Sequence, residues 1–413
     1  MNFGLTSSSS SSGESFIDKH FRNETKYRGR DAIKESPLVD GFGGFPWQIH
    51  SRMNDKIDGK DLLNTVYDLK NVTLQTDLSQ LRDGSVSAQI WEITEKCDGK
   101  EPLLSAVLQQ DLIDRIINRY SDRLKLGLSS SDISSAFDNK KTAIFSNLNG
   151  GHLIGEKMAV LRMYYDYGIR IFTLNKCECT KSYTQFVATL DESTKSWVLS
   201  NLAQTVIKEL NRLGAIIDLS GSDLNTQLEV FKLTKAPVIF SHSVSSLNPD
   251  SPLAIKDHVL LKLKENGGLL MLNLGAEALA TASTKPPDTT TLIQHLNHIR
   301  DKIGADYVGI GAGFDSSEGA KPVLKSPTEF PDLFDKLAEG IEKAQPWSES
   351  DLKKLAGQNF ARVMSQVEKV SEKSRDEKPY DYEAPEPKPD PKPDPKPDPK
   401  PDPKPDPKPN PTK

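Results

Sequence analysis

From Leu38 to Ile310 the chain alternates between two patterns: short, wholly apolar runs and longer stretches with helical period. The runs predict strands at Leu38–Gly41, Val86–Ile93, Thr142–Leu148, Arg170–Leu174, Ala215–Leu219, Val238–Phe240, Leu269–Leu274 and Tyr307–Ile310. Between them, Val198, Leu199, Leu202, Val206, Ile207, Leu210 and Leu213 line one stripe of a helix expected over 197–213. Similar stripes run through 255–263 and 292–303. Gly214 and Gly304 stand where the helices before strands five and eight should stop. Eight strands separated by helices, most of them apolar on both faces, imply a parallel sheet built from βα units. The count of eight favours closure, so the expected fold is α/β, a (β/α)8 TIM-type barrel. A final helix pair is expected at 330–343 and 349–370.

Both ends have a different composition. Ser7–Ser12 is a serine run, and 1–15 is expected to be a flexible N-terminus. The barrel is expected over 16–373. Beyond it, 374–413 is expected to be a disordered tail of Pro-Lys-Pro-Asp repeats. Fourteen of the 27 prolines lie between Pro385 and Pro411, which partly explains a hydrophobic fraction of only 36%. Proline at every second position removes backbone donors, so polyproline II is the default there, and the spacing never produces P-x-x-P.

A net charge of -5 gives no basic footprint for nucleic acid. No stretch is apolar enough to span a membrane, and the sequence as written predicts neither a secretory leader nor a GPI signal. Three cysteines, Cys97, Cys177 and Cys179, cannot all pair within one chain. Asn23 and Asn71 head glycosylation sequons.

Six segments in order carry a resemblance: Pro37-Leu-Val-Asp-Gly with Phe45-Pro-Trp; Gln89-Ile-Trp; Gly150-Gly-His; Val206-Ile-Lys-Glu-Leu-Asn-Arg-Leu-Gly; Ala236-Pro-Val-Ile-Phe-Ser-His-Ser; and Val308-Gly-Ile-Gly-Ala-Gly-Phe-Asp. From about Ser36 to Val370 the chain resembles the membrane (renal) dipeptidases, zinc peptidases of the amidohydrolase-type barrel class. The resemblance implies a site at the C-terminal ends of the strands, with two zincs held by six ligands. At the matched positions this chain has Phe42 and Gly44 for a His-x-Asp pair, Asn149 for a bridging glutamate, and Gly221 for a histidine. Gly313 stands for an aspartate, and His242 is the one ligand kept. Lys176 stands for a substrate-contacting histidine, and Leu253 for an arginine that holds the substrate carboxylate.

A zinc site needs about three protein ligands, and two zincs need a carboxylate between them. The expectation is therefore a dipeptidase-like pseudoenzyme, without catalytic residues or cofactor, that binds an unidentified small ligand or protein. Its residual pocket would comprise Phe42, Asn149, His152, Lys176, His242 and Asp315. The alternative is an active metallodipeptidase with a rearranged zinc site, drawing on residues such as His50, His258, Asp40 and Asp315. His152 is expected to be a hydrogen-bonding support, and His295 and His298 surface or packing residues. The resemblance further implies a homodimer and a disulfide from Cys97 to Cys177 or Cys179. That bridge turns the expected compartment toward a secreted or extracellular one, with the cytoplasm left open.

Overall fold

The structure, a computed structural model, describes residues 27–59, 61–63, 74–97, 99, 101–175, 186–281, 286–317, 319, 321–341 and 344–382. Eight parallel strands close on themselves: β1 (Leu38–Gly43), β2 (Val86–Ile93), β3 (Thr142–Asn149), β4 (Ile169–Thr173), β5 (Ile216–Asp218), β6 (Ile239–Ser245), β7 (Leu269–Asn273) and β8 (Val308–Gly311). Closure comes from Asp40 of β1 pairing with Ile310 of β8, and the β5–β6 seam from Asp218 pairing with Ile239. All eight apolar runs are strands of this barrel.

Strand parity fills the interior. Val39, Ala88, Ile90, Ala143, Phe145, Ile171, Ile216, Ile239, Leu269 and Met271 pack into one cluster with Phe360, Val363, Met364 and Val367 of the last helix. Two residues further along the same inward rows, the side chains turn polar: Glu92 on β2, Asn147 and Asn149 on β3, Thr173 on β4, Asp218 on β5, Ser241 on β6 and Asn273 on β7, all buried. The barrel is thus an apolar plug at the strands' N-terminal halves and a polar layer toward their C-terminal ends. On β8 the interior leaves no room for a side chain, because a Cβ on Gly311 would lie 1.9 Å from the Ser241 carbonyl oxygen.

Several boundaries differ from expectation. The helix expected over 197–213 begins at Asn201, with the Ser200 side chain accepting from the Ala203 N–H as its cap. Trp197 and Val198, in phase with that helix, instead lie exposed on an antiparallel ribbon of Thr189–Asp191 and Ser196–Val198. The helix from Phe330 ends at Glu339, before Gly340 at φ 77°. The last helix is interrupted by a π turn at Lys354–Gln358, where Gly357 packs so closely that a Cβ would lie 2.4 Å from the Pro37 carbonyl oxygen.

The packed unit also runs past the expected limit of 373. Glu209, with no side-chain exposure, accepts from Arg212 Nε at 2.8 Å, from Arg162 Nη1 at 3.2 Å and from the Tyr380 backbone N–H at 3.0 Å. Arg162 also donates to the Tyr380 carbonyl at 3.0 Å and to Asp381 at 2.7 Å. A buried carboxylate with two guanidinium partners therefore holds the 374–382 segment to the barrel. Residues 1–26, and 383–413 with the repeats, lie outside the described residues.

Removing one member of a buried ion pair leaves the other charge uncompensated. Glu209→Ala should lower unfolding free energy by about 3 kcal/mol in urea denaturation and speed proteolysis at the 374–382 segment. An unchanged midpoint would show that this carboxylate does not anchor the segment.

Candidate site at the barrel mouth

Asp218 lies at the centre of the polar layer. Its Oδ1 accepts from the Ser220 N–H at 3.0 Å, the Ser220 hydroxyl at 2.8 Å and the Ser241 N–H at 3.0 Å. Its Oδ2 accepts from Thr173 Oγ1 at 2.7 Å and Ser241 Oγ at 2.6 Å. Five donors offset the desolvation of one carboxylate. With its proton committed to Asp218, Ser241 Oγ is an acceptor for His242 Nδ1, 2.7 Å away. This chain assigns the Nδ1–H tautomer and leaves Nε2 of His242 as the acceptor nitrogen.

His242 and Phe42 are adjacent to the inward rows, not members of them. Register shifts between Asp40 and Gly43 on β1, and opposite Leu270–Leu272 on β6, re-aim both side chains. Their rings stack, with centroids 3.8 Å apart and planes 11° from parallel, and Phe42 has no exposure. An apolar ring thus lies against the face of the His242 imidazole.

Of the neighbouring glycines, Gly44 is closely packed. A Cβ on Gly44 would lie 2.2 Å from the Asp315 carbonyl oxygen and 2.6 Å from Ser316 Cα. Gly313 and Gly221 have φ of 79° and 75°, the left-handed region that disfavours side chains. A Cβ on Gly313 would rest 3.8 Å from both Phe42 Cδ1 and Asn273 Nδ2. Asn149 donates from Nδ2 to Glu92 Oε2 at 3.2 Å, and Glu92 also accepts from the Ser317 hydroxyl at 3.0 Å and from its N–H. Among the described residues, no three His, Cys, Asp or Glu side chains are grouped to hold a metal ion.

Asp315 belongs to a different arrangement from the pocket expected of it. Its carboxylate accepts from the Gln75 and Thr76 N–H groups, each at 2.8 Å, and so anchors the segment before Leu78. Burial raises its pKa to about 6. Asp40 is likewise raised to about 6 by burial, while it accepts from Ala312 N at 2.8 Å and from Gln89 Nε2 at 2.8 Å. His152 Nε2 meets the Glu95 carbonyl at 3.1 Å. His50 pairs with Asp55, and His258 is exposed. His295 lies between Ser245 Oγ and the Leu279 carbonyl, and burial holds its pKa down at about 4 against the raising effect of the Leu279 hydrogen bond. His298 pairs with Asp257.

Leu253 lines a cavity of about 400 Å³ beside the mouth, shared with Asn248, Asn273, Glu277 and Lys321. Cys97 is disulfide-bonded. Its candidate partners Cys177 and Cys179 lie outside the described residues, as do Lys176, Asn23 and Asn71.

A barrel of this kind with these sequence blocks matches the family model "Membrane dipeptidase (Peptidase family M19)" over residues 27–378. The chain belongs to the membrane dipeptidase family. Dipeptidase 3 of Homo sapiens is 32% identical over 363 residues, covering 87% of this chain and 70% of that protein. Dipeptidase verJ of Clonostachys rogersoniana is 32% identical over 357 residues, covering 83% and 87%. Among solved structures, the probable dipeptidase PvdM of Pseudomonas aeruginosa superposes with a TM-score of 0.67 at 17% identity, covering 83% of this chain and 98% of that one. A Rhodobacter sphaeroides metallo peptidase, liganded with a phosphinate mimic of L-Ala-D-Ala, gives 0.66 at 17%, covering 80% and 99%. These likenesses establish the amidohydrolase-type fold.

Glu92 and Asp218, buried acids of the polar layer, were not among the expected site residues. Parity could have found them: each lies two residues beyond an inward apolar residue, Ile90 and Ile216.

The two raised carboxyls have a pH consequence of definite sign. An aspartate near pKa 6 when folded and ~3.9 when unfolded binds more protons in the native state between these values. Its contribution to stability therefore grows as pH falls from 7 toward 4. Each such group adds a slope of at most about 1.4 kcal/mol per pH unit in that window. Asp315→Asn should make the pH 7 to 5 rise in urea-unfolding free energy shallower; an unchanged slope would remove Asp315 from the titrating set.

Proposed function

We propose that this chain is a non-hydrolytic member of the membrane dipeptidase family that binds a small ligand or a protein partner at the barrel mouth without zinc. The observation that carries the reading is the Phe42–His242 stack. Zinc bound by His242 needs the imidazole edge together with two or more further donors around it. Here the matched positions offer a phenyl ring, an amide already donating to Glu92, and glycines. Gly44 adds a steric argument, since a carboxylate there would first have to displace the 315–316 backbone. The residues present do not fit a two-zinc centre. Function follows the site and not the fold.

The second reading is a metallodipeptidase with a rearranged site, favoured by the names of the relatives, Dipeptidase 3 and Dipeptidase verJ. Glu92 is the described acid closest to serving it, through its contact with Asn149. The disulfide at Cys97 supports a secreted or extracellular setting as part of the proposal.

Purified without chelator and dialysed against micromolar zinc, the protein should retain no stoichiometric metal by plasma mass spectrometry. It should also release no free amino acid from alanyl-alanine. Two zincs per chain, with dipeptide hydrolysis that disappears in His242→Ala, would establish the second reading and overturn the first.

A further inference from the structure

On the flank of the barrel mouth, the helix after β1 (Phe45–Met53) packs on the helix after β2 (Pro102–Arg119). At that contact three side chains are connected in series. Asp55 Oδ1 lies 2.8 Å from His50 Nδ1, and His50 Nε2 lies 3.2 Å from Ser105 Oγ. A carboxylate on Nδ1 keeps that nitrogen protonated, which turns the acceptor nitrogen Nε2 toward the hydroxyl. The order carboxylate, imidazole, hydroxyl is that of a serine that histidine activates once the hydroxyl proton turns from Glu95 Oε2, and 3.2 Å is within the reach such a pair needs.

Independent features support the arrangement. Asn54 and Asp55 are consecutive non-glycine residues at φ 47° and 61°, an unfavourable backbone that Arg115 braces by donating to the Asp55 carbonyl at 3.0 Å. Ser105 lies in the first turn of its helix, which has no side-chain cap and begins with Pro102. Pro102 has no N–H and the Ser105 N–H bonds the Glu101 carbonyl at 3.0 Å, so the oxyanion donors of that turn are the N–H groups of Leu103 and Leu104. Leu104 and Leu108 form an exposed i, i+4 pair on the same helix, 47% and 42% accessible, and Leu108 lies one turn from Ser105. They provide an apolar strip beside the hydroxyl. Gln109 Nε2 fixes Oγ from 3.2 Å, and Glu95 Oε2 accepts the resting hydroxyl proton at 2.7 Å.

We propose that Ser105, His50 and Asp55 form a second, metal-free site that hydrolyses carboxylic esters with an apolar acyl chain. Ser105 Oγ attacks the ester carbonyl carbon while its proton, rotated from Glu95, passes to His50 Nε2. The Oγ–acyl bond forms, the C–O bond to the alcohol breaks, and His50 returns the proton to the departing oxygen. Water then attacks the acyl-serine, giving its proton through His50 to Ser105 Oγ and releasing the carboxylic acid. Asp55 is a positioning residue that holds the imidazole tautomer and stabilises the imidazolium.

The test uses the full chain with p-nitrophenyl butyrate and a fluorophosphonate probe. The expected result is ester turnover together with a covalent adduct that peptide mass spectrometry maps to Ser105. Ser105→Ala should abolish both, and His50→Ala should reduce both by about 100-fold or more. His298→Ala, which alters another carboxylate-paired histidine, should leave both as they were. Thermal unfolding of Ser105→Ala within a few degrees of the parent excludes misfolding as the cause; a larger shift moves the decision to the parent's adduct map. An adduct elsewhere, or turnover equal in the parent and Ser105→Ala, would overturn the proposal. So would loss in Glu95→Gln with His50→Ala unaffected. None of these outcomes depends on zinc at the barrel mouth.

Discussion

The charge of Asp218 is held in the interior of a closed barrel, where no water shell can solvate it. Five hydrogen bonds from Thr173, Ser220 and Ser241 answer that requirement, and the rest of the polar layer is arranged around them. Thr173 also contacts Asn147, and Ser241 passes the constraint to His242. Because Ser241 has a single hydroxyl proton, committing it to Asp218 fixes the tautomer of the neighbouring imidazole. A buried anion thereby sets the direction of the hydrogen bonds that reach the barrel mouth.

The same requirement separates the two ends of the barrel. Toward the N-terminal halves of the strands, inward residues are apolar and pack against the last helix. Toward the C-terminal ends, inward residues are polar and must find one another. Phe42 enters this polar end because bulged register on β1 turns it there, and it covers the face of His242. Hydroxyls, amides and backbone N–H groups surround the acids of this layer.

The strands were legible because parallel barrel strands are apolar on both faces, so Val86–Ile93 or Leu269–Asn273 stands out against its flanks. The family was also legible, since the sequence blocks stand in its order and spacing. Glu92 and Asp218 carry no motif signal, because these acids occupy inward rows that parity alone marks. The ribbon carrying Trp197 was hidden because its residues fall in phase with the helix that follows. The π turn at Lys354–Gln358 reflects the close fit of Gly357 against Pro37, a tertiary contact without a local signal. Asp315 looked like a pocket acid until the backbone N–H groups of Gln75 and Thr76 were seen to occupy it.

The close approach at Gly44 bears on the history open to this sequence. The Asp315 carbonyl lies where any Cβ at position 44 would have to go, so the backbone of the β8 loop has settled into the volume a side chain would fill. A single codon change toward a carboxylate there loses folding stability at once and gains one donor with no companions. Selection on folding alone removes such intermediates, whatever the mouth now binds. The glycine therefore acts as a latch: any side chain at this position needs a prior, unrewarded shift of the opposing loop.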